Sequence, residues 1–163
     1  VAFVGGVLPS SHYDTAILWE ARFHAVLPEH HRLAVEDSVD WEALQDEHFI
    51  VSRDAPGPEI HDYIVRRLAD FGRSPSVERY GVCRETLMNL VALGFGISLV
   101  SESATATCYP NAVFRPLATS DDILSYSAVW LPGNDNPALR RFLSLARSLS
   151  DVRPAPQPPF DAS

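Results

Sequence analysis

The residues best suited to chemistry in this chain lie in two short turns. Ser52, Arg53 and Asp54 close an apolar run that begins at His48, and they lead through Pro56 and Gly57 into a stretch with helical periodicity. Val82, Cys83, Arg84, Glu85 and Thr86 form a second turn of the same kind, between the run Ser76–Tyr80 and another periodic stretch. A strand that ends where a helix begins sets side chains beside unpaired backbone N–H groups and the positive end of the helix dipole, which together receive a carboxylate well. At such a place Ser52 can donate a hydrogen bond, Arg53 can pair bidentately with a carboxylate, and Pro56 and Gly57 shape the loop. The local alternative is that Ser52 and Asp54 cap nearby backbone while Arg53 faces solvent. For Glu85 and Thr86 the alternative is helix capping. Cys83 has two readings, a pocket-lining or redox-sensing thiol activated by the helix start and Arg84, and an inert packed thiol.

Other chemistries find little support. His30 and His31 are adjacent on a polar turn, without the i, i+4 spacing of a helical metal pair, and read as solvated surface groups. No metal site is expected. The sequence contains no GxSxG elbow, no Walker loop and no GxGxxG after a strand. Gly94-Phe95-Gly96 precedes a strand and so reads as a turn. Neither an enzymatic activity nor a cofactor is expected. Cys83 and Cys108 form no CxxC pair, and reduced thiols in a cytoplasmic protein are the expectation.

Those turns must be held by strands and helices in alternation. Val1–Val4 reads as a buried strand reaching a tight turn at Gly5-Gly6, and Ile17–Leu27 as a longer β run ending at Pro28. Asp40–Leu44 reads as a short helix with Trp41 and Leu44 on its buried side. Ile60, Tyr63, Ile64, Leu68 and Phe71 predict a helix from Glu59 to Phe71, stopped by Gly72. Further strands are expected at Gly96–Val100, Ala112–Leu117 and Leu124–Leu131, and a second helix over Arg84–Leu93. Asn136-Pro137 is a helix start, with Asn as cap and Pro at the first position, and the helix should run to Leu149. Four of the six residues from Pro154 to Pro159 are proline, and that tail is expected to be disordered. The pattern predicts an α/β fold with a largely parallel sheet, in which ligands bind beyond the carboxyl ends of the strands.

Composition agrees with an ordinary globular chain: 163 residues, 46% of them hydrophobic. That is enough for one core or two small lobes. The 13 Lys and Arg against 21 Asp and Glu leave a net charge of -8, which disfavours nucleic-acid binding by this chain itself. No apolar run reaches the ~18–20 residues of a membrane span. The start, Val1-Ala2-Phe3-Val4, has neither an initiator Met nor a basic region, and reads as a strand entered midway, as in a fragment.

Five segments, in order and spacing, resemble one family. Leu27-Pro28-Glu29-His30-His31-Arg32-Leu33-Ala34 is similar to its P-x-x-H-P-L-A turn, with Arg32 in place of the usual Pro. Thr86 to Val100, with Leu90-Val91-Ala92-Leu93-Gly94-Phe95-Gly96-Ile97 at its heart, is similar to its glycine-rich L-V-A-x-G-x-G-I segment, and Ser101 replaces the Pro that follows. Val113–Leu117 and Tyr126–Trp130 look like its late strands, and Asn136–Leu143 like its final helix. The family is that of the LysR-type transcriptional regulators, in their effector-binding domain, and the resemblance covers about residues 1–150.

The resemblance implies a periplasmic-binding-protein-like type II fold. Residues 20–130 would form the Rossmann-like regulatory subdomain II, residues 1–19 a remnant of subdomain I, and residues 131–150 the return segment and last helix of subdomain I, followed by the tail 151–163. It implies a small anionic effector, a carboxylate above all, in a cleft walled by Ser52, Arg53, Asp54, Pro56, Gly57, Cys83, Arg84 and Thr86, with Gly5 on the other wall. It further implies a homo-oligomer, with the helix Glu59–Phe71 either at the dimer surface or purely in the core. DNA would be reached only through a helix-turn-helix outside this chain. The alternative is a solute-binding protein of a transport system with the same fold, and a third reading is an enzyme on the same scaffold.

Overall fold

A computed structural model of the chain describes residues 1–5, 12–72, 74–119, 121–134 and 136–150. In chain order the elements are β1 (Ala2–Gly5), β2 (Asp14–Pro28), a 3-10 turn (Arg32–Val35), α1 (Trp41–Leu44), β3 (His48–Ser52), α2 (Gly57–Ala69), β4 (Ser76–Tyr80), α3 (Arg84–Ala92), β5 (Ser98–Ser101), a second 3-10 turn (Glu102–Ala106), β6 (Ala112–Pro116), β7 (Ile123–Trp130) and α4 (Pro137–Ser150). The expected disorder of the Pro-rich tail, and Gly6, lie outside the described residues. Two compact units result, one of Val1–Trp19 with the residues from Ser125 onward, the other of Glu20–Leu124. The chain passes from one unit to the other at Leu124/Ser125, inside β7. The register explains this, because Tyr126–Val129 pair with β1.

In the larger unit, β3 carries three consecutive buried residues, Phe49, Ile50 and Val51, and is covered on both faces. It pairs in parallel with β4 from His48↔Ser76 to Ser52↔Tyr80, the two strands joined through α2. Ile60, Ile64 and Leu68 bury one stripe of α2, and Leu87, Met88 and Val91 one stripe of α3. Those three residues of α3 pack with Val26, Ile50, Val100 and Ala104. Gly94 ends α3 with φ +82°. At Gly96 a Cβ would lie 2.8 Å from His48 O and 2.9 Å from Ile50 Cγ2, so only glycine lets the chain pass close enough for Ile97 N to reach His48 O. The Gly94-Phe95-Gly96 segment is thus the turn the sequence suggested.

The expectation of a largely parallel sheet is corrected. β2 runs antiparallel to β5 (Phe23↔Ser101 to Val26↔Ser98) and to β6 (His24↔Pro116 to Pro28↔Ala112). Parallel pairing of successive strands needs a crossover, which α2 supplies between β3 and β4, whereas β2 runs into this unit as one continuous strand and joins β5 and β6 by no such single crossover. His31 also departs from its solvated reading. Its Nδ1 accepts from Leu33 N at 3.2 Å and its Nε2 lies 3.2 Å from Glu47 Oε2, with Arg32 on the other oxygen at 2.8 Å.

In the smaller unit β1 and β7 are antiparallel, from Ala2↔Val129 to Gly5↔Tyr126. Asn136 Oδ1 accepts from Ala138 N at 2.9 Å and starts α4, whose Leu139 and Leu143 close over Leu18 and Ala128. Phe3 meets Phe142 edge-on and Trp19 stacks on Tyr126, at 5.7 and 5.2 Å between ring centroids.

Candidate functional site

Both turns singled out from the sequence sit at carboxyl ends of strands in the larger unit. After β3, Arg53 N continues the ladder by donating to Tyr80 O at 2.8 Å. Ser52 then reverses the chain, its Oγ donating to Val82 O (2.9 Å) and accepting from Asp54 N (3.0 Å). Ser52 Oγ thereby ties the first turn to the second. Gly57 N donates to Asp54 O at 2.8 Å, and a Cβ on Gly57 would fall 1.9 Å from Ser52 O, so the tight approach that opens α2 requires glycine. Pro56 caps α2 without a side-chain hydrogen bond, and Cys83 does the same for α3.

The two helix starts border one cavity of about 300 Å³ inside this unit. Ser52, Asp54, Pro56, Gly57, Cys83 and Arg84 all line it. The structure does not bring the other expected residues to this cavity. Arg53 turns away, and its Nε donates to Arg79 O at 3.3 Å on the exposed side. Thr86 points at Cys83, with 3.4 Å between Oγ1 and Sγ. Gly5 belongs to the smaller unit, in register with Tyr126.

The rim and the interior differ in character. Asp54, Cys83, Arg84 and Glu85 are exposed, whereas Met88, Leu99, Val100 and Leu124 are buried. Among the described residues, Arg84 is the one cationic side chain of the lining. The Glu85 carboxyl is held below its usual range, first by its own backbone N–H and then by the Cys83 thiol. The Arg84 charge acts on the Glu85 carboxyl in the same direction, so the cation and the acid sit together at the start of α3. Sequence reasoning missed the interior wall, namely Ser98, Leu99 and Val100 of β5 with Ala104 and Leu124. Ser98 had a signal, being a lone hydroxyl in the apolar run Ile97–Val100. Ala104 and Leu124 had none, since tertiary packing alone brings them there.

Residues 1–150 match the family model described as LysR substrate binding domain. The chain belongs to the LysR substrate-binding domain family. The HTH-type transcriptional regulator XapR of Escherichia coli (strain K12) is 31% identical over 112 residues, covering 67% of this chain and 36% of XapR. The HTH-type transcriptional regulator ShiR of Corynebacterium glutamicum (strain R) is 23% identical over 146 residues, covering 90% and 50%. This LysR-family chain thus spans half or less of the length of those curated relatives. Among solved structures, the BenM effector-binding domain with its effector benzoate superposes with a TM-score of 0.80 at 20% identity, over 96% of this chain and 72% of that one. Full-length BenM carrying E226K gives 0.81 at 20% identity, over 96% and 52%. At that identity the likeness establishes the fold, the periplasmic-binding-protein-like α/β architecture of LysR effector-binding domains.

Proposed function

We propose that this chain is the ligand-sensing part of a bacterial LysR-type transcriptional regulator, and that the cavity between the starts of α2 and α3 is the wall of its effector site contributed by residues 20–124. The observation that carries the reading is the convergence of both strand-to-helix turns on one cavity with an apolar interior and, at its rim, Arg84 beside Asp54 and Glu85. Such a lining suits a small carboxylate whose apolar body enters the cavity while its charge stays by Arg84 and the helix starts. The benzoate bound by the BenM domain is a molecule of that kind. Residues 20–130 take the part of regulatory subdomain II, and residues 1–19 and 131–150 that of subdomain I. Signalling needs no bond broken, only different effector affinities for two conformations. The parent regulator would be a cytoplasmic homo-oligomer that reaches DNA through its helix-turn-helix. The family match weighs for this reading over a transport solute-binding protein.

The test is a thermal-shift titration of the chain with small carboxylates, benzoate among them, repeated on Arg84→Ala. Loss of one charge-assisted hydrogen bond should weaken binding about tenfold or more. Binding that ignores Arg84→Ala, or the absence of any carboxylate that raises the melting temperature, counts against the proposal.

A further inference from the structure

Three serines line the cavity, and they differ in one respect. Ser52 Oγ is committed to Val82 O and Asp54 N, and Ser101 Oγ to Ser103 Oγ at 2.9 Å. Ser98 Oγ has no hydrogen-bond partner among the described residues, although the residue is only 1% exposed. Ser98 opens β5 and belongs to the interior wall, beside Leu99 and Val100, while the charged lining residues Asp54, Arg84 and Glu85 are exposed at the rim. Burying a hydroxyl with its hydrogen bonds unmade is unfavourable. Alanine would fill nearly the same volume without that penalty, so the hydroxyl gains nothing from the partners that the described residues offer it.

We infer that Ser98 Oγ is a ligand contact that sets specificity, selecting an effector whose apolar body bears a hydroxyl or carbonyl oxygen at the end remote from its carboxylate. A serine hydroxyl both donates and accepts, so it serves either group. The surrounding Met88, Leu99, Val100 and Leu124 offer the ligand body only apolar contact. The inference rests on the proposal that this cavity is the effector site.

The experiment compares the chain with Ser98→Ala and Ser98→Cys, using benzoate and the 2-, 3- and 4-hydroxybenzoates as probes in calorimetric titrations. At least one hydroxybenzoate should bind the unaltered chain about fivefold to tenfold more tightly than benzoate, the gain of one well-placed neutral hydrogen bond. Ser98→Ala should abolish that preference, bringing the favoured hydroxybenzoate down to the affinity of benzoate for the same variant, and Ser98→Cys, a weak donor of similar size, should retain part of it. Unliganded Ser98→Ala should melt no lower than the unaltered chain. If carboxylates bind but neither variant alters the preference, the inference falls and the effector-site proposal stands. If unliganded Ser98→Ala melts several degrees lower, the hydroxyl is bonded within the native protein and the inference falls on that ground. If none of the four probes binds, the effector-site proposal fails for this ligand class and takes the inference with it.

Discussion

At the scale of single residues, the larger unit turns on one buried carboxylate. Asp122 is 1% exposed, yet its carboxylate takes Trp41 Nε1 at 3.0 Å on both oxygens, Arg67 Nη2 at 2.7 Å and the Tyr63 hydroxyl. Its backbone O accepts from Phe23 N at 2.9 Å. One side chain thus joins α1, α2 and the approach to β7. Removing a buried, fully paired charge strands its donors, so Asp122→Ala should lose about 3–5 kcal/mol in urea denaturation. Burial, then the hydrogen bond to Asp122, push the Tyr63 phenol well above its ordinary value of 10.0. The neutral phenol is therefore favoured in the folded state. Its contribution is complete below pH 10 and declines as the pH rises further, where the unfolded chain ionises and the folded one does not. Tyr63→Phe should flatten that alkaline decline in urea midpoints measured from pH 8 to 11; an unchanged slope would contradict the assignment. Nothing in the sequence marked Asp122, because its meaning lies in partners up to 81 positions away. Trp41 was legible as buried, from its spacing to Leu44, but not as a donor to that acid.

At the scale of elements, strands and helices with strong local patterns were readable. β3 and β4 have the bounds the sequence suggests, since runs such as His48–Ser52 are set off by polar or Pro/Gly-rich flanks. α2 begins at Gly57 rather than Glu59, because the helix takes in Gly57 and Pro58, whose missing N–H costs nothing in a first turn. Strand direction was not readable, since pairing of β2 with β5 and β6 depends on contacts remote in sequence. The site shows the same division. Its two turns were visible as strand-to-helix junctions, whereas the β5 wall required the fold. Gly57 joins these levels: its missing Cβ lets α2 start against Ser52 O. Gly57→Ala forces backbone apart and should cost about 1–3 kcal/mol in urea denaturation. It should also weaken carboxylate binding, by displacing the turn that forms one lip of the cavity. A substitution with no effect on either measurement would contradict the geometry.

At the scale of the whole molecule, the family was legible because five motifs kept their order, though each is common alone. The second passage between the two units lies inside β7, a place that local sequence pattern does not mark. A ligand seated in the cavity must raise the stability of the unit that holds it, by about 2.7 kcal/mol at a hundredfold excess over Kd. Where the ligand sits decides more than whether it binds. The most direct test is to follow backbone amide chemical shifts in the chain as benzoate, or whichever small carboxylate stabilises it most, is added. The account predicts the largest changes at Asp54 and Gly57, at Cys83–Glu85 and at Ser98–Leu99, with little change along α4. Saturable binding that leaves those three segments unmoved and shifts α4 or β1 instead would contradict it.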